Sequence, residues 1–240
     1  MKRILMMIFR NIWFVPWGWI KLCWYAAHTE KYPEDVKYKH LQYIVYRANK
    51  GGNIEIKVHG QEKLPKENGF ILYPNHQGLY DVLAMVHACP MPIAMVAKKE
   101  IGNVQFIKQV IACTKSFVLD RDDVKQGMKV ILNVIEEVKK GRNYLIFAEG
   151  TRSKQGNKPQ EFKGGSFKAA TKAKCPIVPV ALIDSYKSFD TGSTKTVTVQ
   201  VHFLEPMLYE EYKDMKTVEI ADEVRRRIEK VIEENTTVQE

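Results

Sequence analysis

Two hydrophobic periodicities alternate along most of the chain. NIEIKVHG (53–60) alternates apolar and polar residues, as a half-buried strand does, and GFILYP (69–74) is a short apolar strand. DVLAMVHAC (81–89) has helical spacing, PIAMVAK (92–98) and SFVLD (116–120) read as strands, and VKQGMKVILNVIEEVKK (124–140) is an amphipathic helix closed by Gly141. NYLIFA (143–148) predicts a strand, SFKAATKAK (166–174) a helix and PIVPVALI (176–183) a buried strand. KTVTVQVHFLEP (195–206) alternates as a strand with one solvated face, and TVEIADEVRRRIEKVIEEN (217–235) is a final charged helix. This succession predicts an α/β fold: a mixed, mainly parallel sheet covered by helices, with ligands bound outside the carboxyl ends of the strands.

The first 50 residues follow another pattern. MKRILMMIFRNIWFVPWGWIKLCWY (1–25) holds all four tryptophans, Trp13, Trp17, Trp19 and Trp24. Arg10 and Lys21 interrupt it too often for a bilayer span, which needs roughly 20 apolar residues. Large aromatics stand where a cleavable signal needs small residues. PEDVKYKHLQYIVYRANK (33–50) predicts a second helix, started by Pro33, Glu34 and Asp35 and stopped by Gly51-Gly52. Residues 1–50 thus read as a two-helix hairpin, with Pro16 kinking or breaking its first arm, ahead of an α/β domain over 51–240. Tryptophans beside cations suit a membrane interface; the alternative is that they pack on the protein's own core.

Composition narrows the partners. With 37 Lys and Arg against 28 Asp and Glu, the chain carries a formal net charge of +9 and favours anionic partners. The four cysteines, Cys23, Cys89, Cys113 and Cys175, lie far apart without zinc-finger spacing, which argues against a structural metal and for buried free thiols. No GxSxG elbow, P-loop or GxGxxG is present. Basic residues are not interleaved with stacking aromatics in the body, so nucleic acid is not an expected partner.

Candidate chemistry falls at three predicted strand ends. Asn75-His76 follows FILYP, Asp120-Arg121 follows SFVL, and Glu149-Gly150-Thr151-Arg152 follows NYLIFA. On one continuous helix, five positions would leave His76 and Asp81 about 140° apart. They meet only if His76 sits in a turn, loosened by Gly78, with Asp81 on the first helical turn. Asp81 would then fix the imidazole tautomer and free the other nitrogen as a general base; the plainer reading is a helix-capping aspartate. The Glu149–Arg152 segment offers backbone N–H groups, a hydroxyl and a guanidinium to an anion, or is an ordinary polar turn. Arg121 among acids reads as a surface ion pair, and Lys98 and Lys99 as solvated lysines. His28, His40, His59, His87 and His202 have no comparable setting.

Together these motifs resemble the 1-acylglycerol-3-phosphate acyltransferase family of membrane-associated glycerolipid enzymes. The resemblance rests on NHQGLYD (75–81) for the family's NHxxxxD block, VLDR (118–121), FAEGTRS (147–153) for FPEGTRS, and the late IVPVAL (177–182), in order across roughly 53–185. It departs at Gly78, where many members carry serine, at Val118 for phenylalanine, and at Ala148 for proline. It implies that His76, oriented by Asp81, deprotonates the free hydroxyl of a lysophosphatidic acid, which attacks the thioester of acyl-CoA or an acyl-carrier protein. Arg121 and Glu149 to Arg152 would hold the acceptor phosphate, with Asn75 and Lys98 or Lys99 among the substrate-binding groups. No acyl-enzyme, metal or further cofactor is implied. The N-terminal hairpin would anchor the enzyme to an anionic bilayer, at the cytoplasmic face of the cell membrane, as a monotopic or peripheral protein. Competing expectations are another acceptor (glycerol 3-phosphate or a different lysophospholipid), a thioesterase, or a basic binding protein without chemistry.

Overall fold

The computed structural model describes residues 2–120 and 122–236. Three helices come first: α1 (Lys2–Arg10), α2 (Val15–Ala27) and α3 (Glu34–Gly51). The first arm of the expected hairpin is broken in two, and Pro16 starts α2 at a position where its missing N–H costs nothing. Gly51 and Gly52 do more than end α3. A Cβ on Gly51 would lie 2.3 Å from Asn11 Nδ2, and one on Gly52 would lie 2.3 Å from Met7 Cε. The glycines let α1 cross directly over the end of α3.

The sheet has seven strands: β1 (Ile54–His59), β2 (Ile71–Pro74), β3 (Ile93–Lys98), β4 (Phe117–Leu119), β5 (Asn143–Leu145), β6 (Ile177–Ile183) and β7 (Val197–Phe203). Their order is β1-β7-β6-β2-β5-β3-β4. β6, β2, β5, β3 and β4 are parallel to one another; β7 is antiparallel to β6, and β1 runs with β7. The sheet is therefore mixed and mainly parallel. Five strands deliver their carboxyl ends to one edge.

Alternation on the strands splits the core between two faces. Leu72, Leu145, Val178, Val180 and Leu182 join one apolar cluster with Leu22, Tyr38 and Leu41 of the N-terminal helices and with α4 (Asp81–Ala88). Ile71, Tyr73, Tyr144, Ile177 and Ala181 face the other way, onto α7 (Val124–Lys139), α8 (Lys168–Ala173) and α10 (Thr217–Thr236). The Asp123 side chain caps α7 by accepting the Gln126 N–H at 3.0 Å, and Gly141, at φ +86°, ends it.

One stretch differs from expectation by addition. Between 99 and 115 the sequence pattern assigned no element; the structure forms a single turn, α5 (Lys99–Gly102), and α6 (Gln105–Thr114). α6 packs on α2, where Trp19 stacks on Phe106 with ring centroids 6.2 Å apart. Ile107, Val110 and Ile111 are half-buried and Cys113 is buried, with α2 and α3 on one side of the helix and β3 on the other. A further turn, α9 (Tyr209–Tyr212), precedes α10.

The tryptophans divide. Trp19 packs against the core, Trp17 and Trp24 are half-exposed, and Trp13 is 94% exposed. α1 is inverted relative to a globular surface helix: Arg3 is buried, while Leu5, Ile8 and Phe9 are exposed. Arg3 donates through Nη1 to the carbonyl of Gly52 at 2.6 Å and of Asn53 at 3.3 Å, and through Nη2 to that of Lys195 at 2.9 Å. No helix among the described residues is long and apolar enough to cross a membrane.

Candidate active site

β2 ends at Pro74 and the chain turns before α4, so His76 stands in that turn and Asp81 is the first residue of the helix. The turn brings them together: His76 Nδ1 lies 2.6 Å from Asp81 Oδ2. Backbone N–H groups of Gln77 and Gly78 donate to the same oxygen at 2.6 and 3.0 Å. Asp81 is fully buried, so this bond is not diluted by water. An aspartate that bonds Nδ1–H leaves the lone pair of the neutral ring on Nε2. Nε2 has no partner among the described residues, and the imidazole side chain is 20% exposed. This is the arrangement of an oriented general base with an open face.

The loop after β5 wraps the same histidine. Phe147 stacks on the imidazole, centroids 4.0 Å apart and planes 22° from parallel. Glu149 Oε1 accepts the His76 N–H at 2.6 Å, and its Oε2 accepts the Gln160 N–H at 2.9 Å. The Ser153 N–H donates to the His76 carbonyl at 2.9 Å. Burial pushes the Glu149 carboxyl up to about 7, against the pull of the two N–H donors and of His76. Gly150 turns the loop at φ +76°, and a Cβ there would come within 3.2 Å of Lys163 Nζ. Lys163 thus lies over this loop.

Asn75 is buried and spends its amide on the backbone of Leu182, donating at 3.0 Å and accepting at 2.7 Å. It extends the pairing of β2 with β6 and holds the histidine turn from below, without presenting its amide to an opening. Glu149 likewise has both oxygens engaged by backbone. Thr151 and Arg152 are exposed; Gln160 Nε2 reaches the Thr151 hydroxyl at 3.4 Å, and the Arg152 guanidinium has no partner among the described residues. Lys98 and Lys99 sit at the end of β3, on the same sheet edge but two strands from β2, roughly 10 Å across at ordinary strand spacing. Lys98 pairs with Glu100 and Lys99 with Asp120, each at 2.7 Å. Arg121 lies outside the described residues.

The structure adds groups that no local spacing announced. Gln77 donates to the Leu182 carbonyl at 2.8 Å and to Asn157 Oδ1 at 2.9 Å. Ser185, just past β6, donates its hydroxyl to Asp81 Oδ1 at 2.5 Å. Three of the cysteines are poor nucleophiles: burial holds the thiols of Cys89 and Cys175 up at about 12 and that of Cys113 at about 11. All four are free.

Comparison with known proteins fits this geometry. Residues 55–183 match the family model described as Acyltransferase. The chain is 28% identical over 184 residues to the 1-acyl-sn-glycerol-3-phosphate acyltransferase of Borreliella burgdorferi, over 74% of this chain and 73% of that one. It is 30% identical over 182 residues to the enzyme of the same name from Salmonella typhimurium, over 75% and 74% of the two chains. The crystal structure of the 1-acyl-sn-glycerophosphate acyltransferase PlsC from Thermotoga maritima superposes with a TM-score of 0.68 at 25% identity, covering 81% of this chain and 79% of that one. The matched segment begins in β1 and ends with β6, so it contains the His76–Asp81 turn and the loop that wraps it. This chain belongs to the acyltransferase family of enzymes.

Proposed function

We propose that this enzyme transfers a fatty acyl group from acyl-CoA or an acyl-carrier protein to the free hydroxyl of lysophosphatidic acid, giving phosphatidic acid. The observation that carries the chemistry is the 2.6 Å bond between His76 Nδ1 and the sealed carboxylate of Asp81, with Nε2 left open. The names of the relatives supply the acceptor. In the proposed step, Nε2 takes the hydroxyl proton as the oxygen attacks the thioester carbonyl. The tetrahedral adduct collapses, the carbon–sulfur bond breaks, and the imidazolium returns its proton to the departing thiolate. One ester and one thiol result. General-base action of this kind contributes about 10²–10⁴-fold, and positioning supplies much of the rest. Arg152, exposed and without a partner among the described residues, is assigned to the acceptor phosphate, since arginine binds phosphate through two parallel bonds. Arg121 and one of Lys98 or Lys99 are assigned the same task. His76 and Asp81 carry the proton transfer themselves, without a cofactor.

The exposed apolar side of α1 and α2 supports a membrane-surface location. Phe9, Trp13 and Ile20 face outward, with Lys21 over the Trp17 ring at 4.9 Å. Such a surface would set the site at headgroup depth on an anionic leaflet, where a single-chain acceptor resides.

The test is thiol release from acyl-CoA, and from acyl-carrier protein, with and without lysophosphatidic acid, beside glycerol 3-phosphate and other lysophospholipids. Release that depends on lysophosphatidic acid and vanishes in His76→Ala is expected. Preference for another acceptor would reassign the substrate, and acceptor-independent release would make the protein a thioesterase. Flotation with anionic vesicles tests the surface: Phe9→Asp combined with Trp13→Ser should weaken binding by roughly tenfold or more. Unchanged flotation would remove α1 and α2 from the membrane contact.

A further inference from the structure

His76 and the two N–H groups of its turn all converge on Oδ2 of Asp81. The other oxygen is served from across the site. Ser185 Oγ lies 2.5 Å from Oδ1, and Ser185 is fully buried. A carboxylate can only accept, so the hydroxyl donates. Among the described residues no other side chain reaches Oδ1.

The approach of Ser185 is built with some care. β6 ends at Ile183, and Asp184 takes a left-handed conformation, φ +61°, uncommon for a residue with a Cβ. Asn157 holds that turn from both sides: its Oδ1 accepts the Asp184 N–H at 2.8 Å, and its Nδ2 donates to Asp184 Oδ1 at 3.0 Å. The next residue is Ser185, whose N–H donates to Gln77 Oε1 at 2.9 Å. Gln77 is itself the residue after His76. Ser185 is thus tied to the histidine turn by its backbone and to Asp81 by its side chain. Ser188, one turn further on, makes the contrast: its hydroxyl is equally buried but has no partner among the described residues.

We propose that Ser185 is a positioning residue for acyl transfer, its hydroxyl fixing the plane and sharing the charge of Asp81 so that Oδ2 stays aimed at His76 Nδ1. The inference rests on His76 as the general base. Without the hydroxyl, Oδ1 becomes a buried acceptor with no donor, the carboxylate is free to swing, and its charge is shared with fewer partners. A carboxylate so altered holds the imidazolium proton more tightly. Other charged groups stand around the pair: Glu149 from the loop after β5, with Lys163 beyond it over Gly150. Asp184, paired with Lys187, and Asp190 beside Gly78 come from the segment after β6. Ser185→Ala leaves all of them in place, so a change in the titration of His76 would report the hydroxyl.

The experiment measures kcat and KM against pH for the full chain and for Ser185→Ala, Ser188→Ala and His76→Ala. Alongside it, NMR follows the His76 ring through its titration and its hydrogen-bonded Nδ1–H resonance. In Ser185→Ala, kcat should fall about tenfold with the acceptor KM little changed, and the acid limb of kcat/KM should rise by about half to one pH unit. The ring titration should rise with it, and the Nδ1–H resonance should weaken. Ser188→Ala should match the wild type. If Ser185→Ala loses activity while the ring titration and the acid limb stay where they were, Ser185 only fills space and the proposal is overturned. The NMR arm needs no substrate. If the wild type transfers no acyl group, or His76→Ala keeps activity, the base reading fails by itself, and the ring titration still decides the link to Ser185. Should Ser185→Ala not fold, Ser185→Cys, similar in shape but a weak donor, is expected to show the same shifts at smaller size.

Discussion

Asp81 and Arg3 are both charged side chains sealed from solvent, one beside the His76 turn and one in the first helix. They are satisfied in different ways. Asp81 receives four donors: one imidazole, two backbone N–H groups and one hydroxyl. Arg3 meets three backbone carbonyls, and its Nε has no partner among the described residues. A buried charge is costly unless it is paired and bonded, so each must do something that offsets its desolvation. The partners of Asp81 include an imidazole, whose second nitrogen can accept a proton. Those of Arg3 are fixed dipoles that cannot. The first ion suits chemistry. The second suits architecture: by drawing its arginine inward, α1 is left with Leu5, Ile8 and Phe9 facing out.

Substitution should separate the two ions. Asp81→Asn keeps an oxygen acceptor but removes the charge, and it admits the wrong histidine tautomer. We expect kcat to fall about 10³–10⁴-fold while the circular dichroism spectrum is unchanged. Arg3→Met should do the reverse. It removes charge-assisted bonds to Gly52, Asn53 and Lys195, and stability should drop by about 1–3 kcal/mol with faster amide exchange in α1. Activity on detergent-dispersed substrate should stay within about twofold, because no bond from Arg3 reaches the His76 turn. If Arg3→Met silences the enzyme in detergent with α1 still protected from exchange, the division between chemistry and architecture fails.

The same contrast separates what the sequence displays from what it hides. The His76–Asp81 contact was legible because both residues lie within one turn, and helix geometry excludes every arrangement except the bend that the structure adopts. The strand and helix pattern of the body was legible for the same reason: burial on a sheet or helix face has a period. Ser185 and Asn157 were not, since their partners lie 104 and 27 residues away and no spacing links them. Asn75 was expected to touch substrate; its amide faces Leu182 instead, a direction set by the pairing of β2 with β6. The burial of Arg3 is equally non-local. Its carbonyl partners sit at the end of α3 and before β7, and only a folded chain brings them together. α6 escaped because its apolar residues are covered partly by α2, which lies far from it in sequence.

Glu149 extends the comparison with the smallest expected effect. It is as deeply buried as Arg3, but among the described residues it has two donors, the N–H groups of His76 and Gln160. Burial therefore prevails and raises its carboxyl from about 4.5 to about 7. Between those values the folded chain holds a proton that the unfolded chain has released. The stability this group contributes is complete below about pH 4.5 and is lost as pH rises through 7, at most on the order of 3 kcal/mol. Glu149→Gln cannot titrate, and its carboxamide still offers one oxygen to the two N–H groups. Denaturant melts of both proteins at pH 5 and pH 7.5 isolate the effect from other acids. The wild type should lose more stability across that interval than Glu149→Gln, and the gap between the two slopes belongs to Glu149. Parallel slopes would mean that two backbone donors suffice to keep a buried carboxylate charged, and that the four donors around Asp81 serve the orientation of His76 rather than the cost of burying a charge.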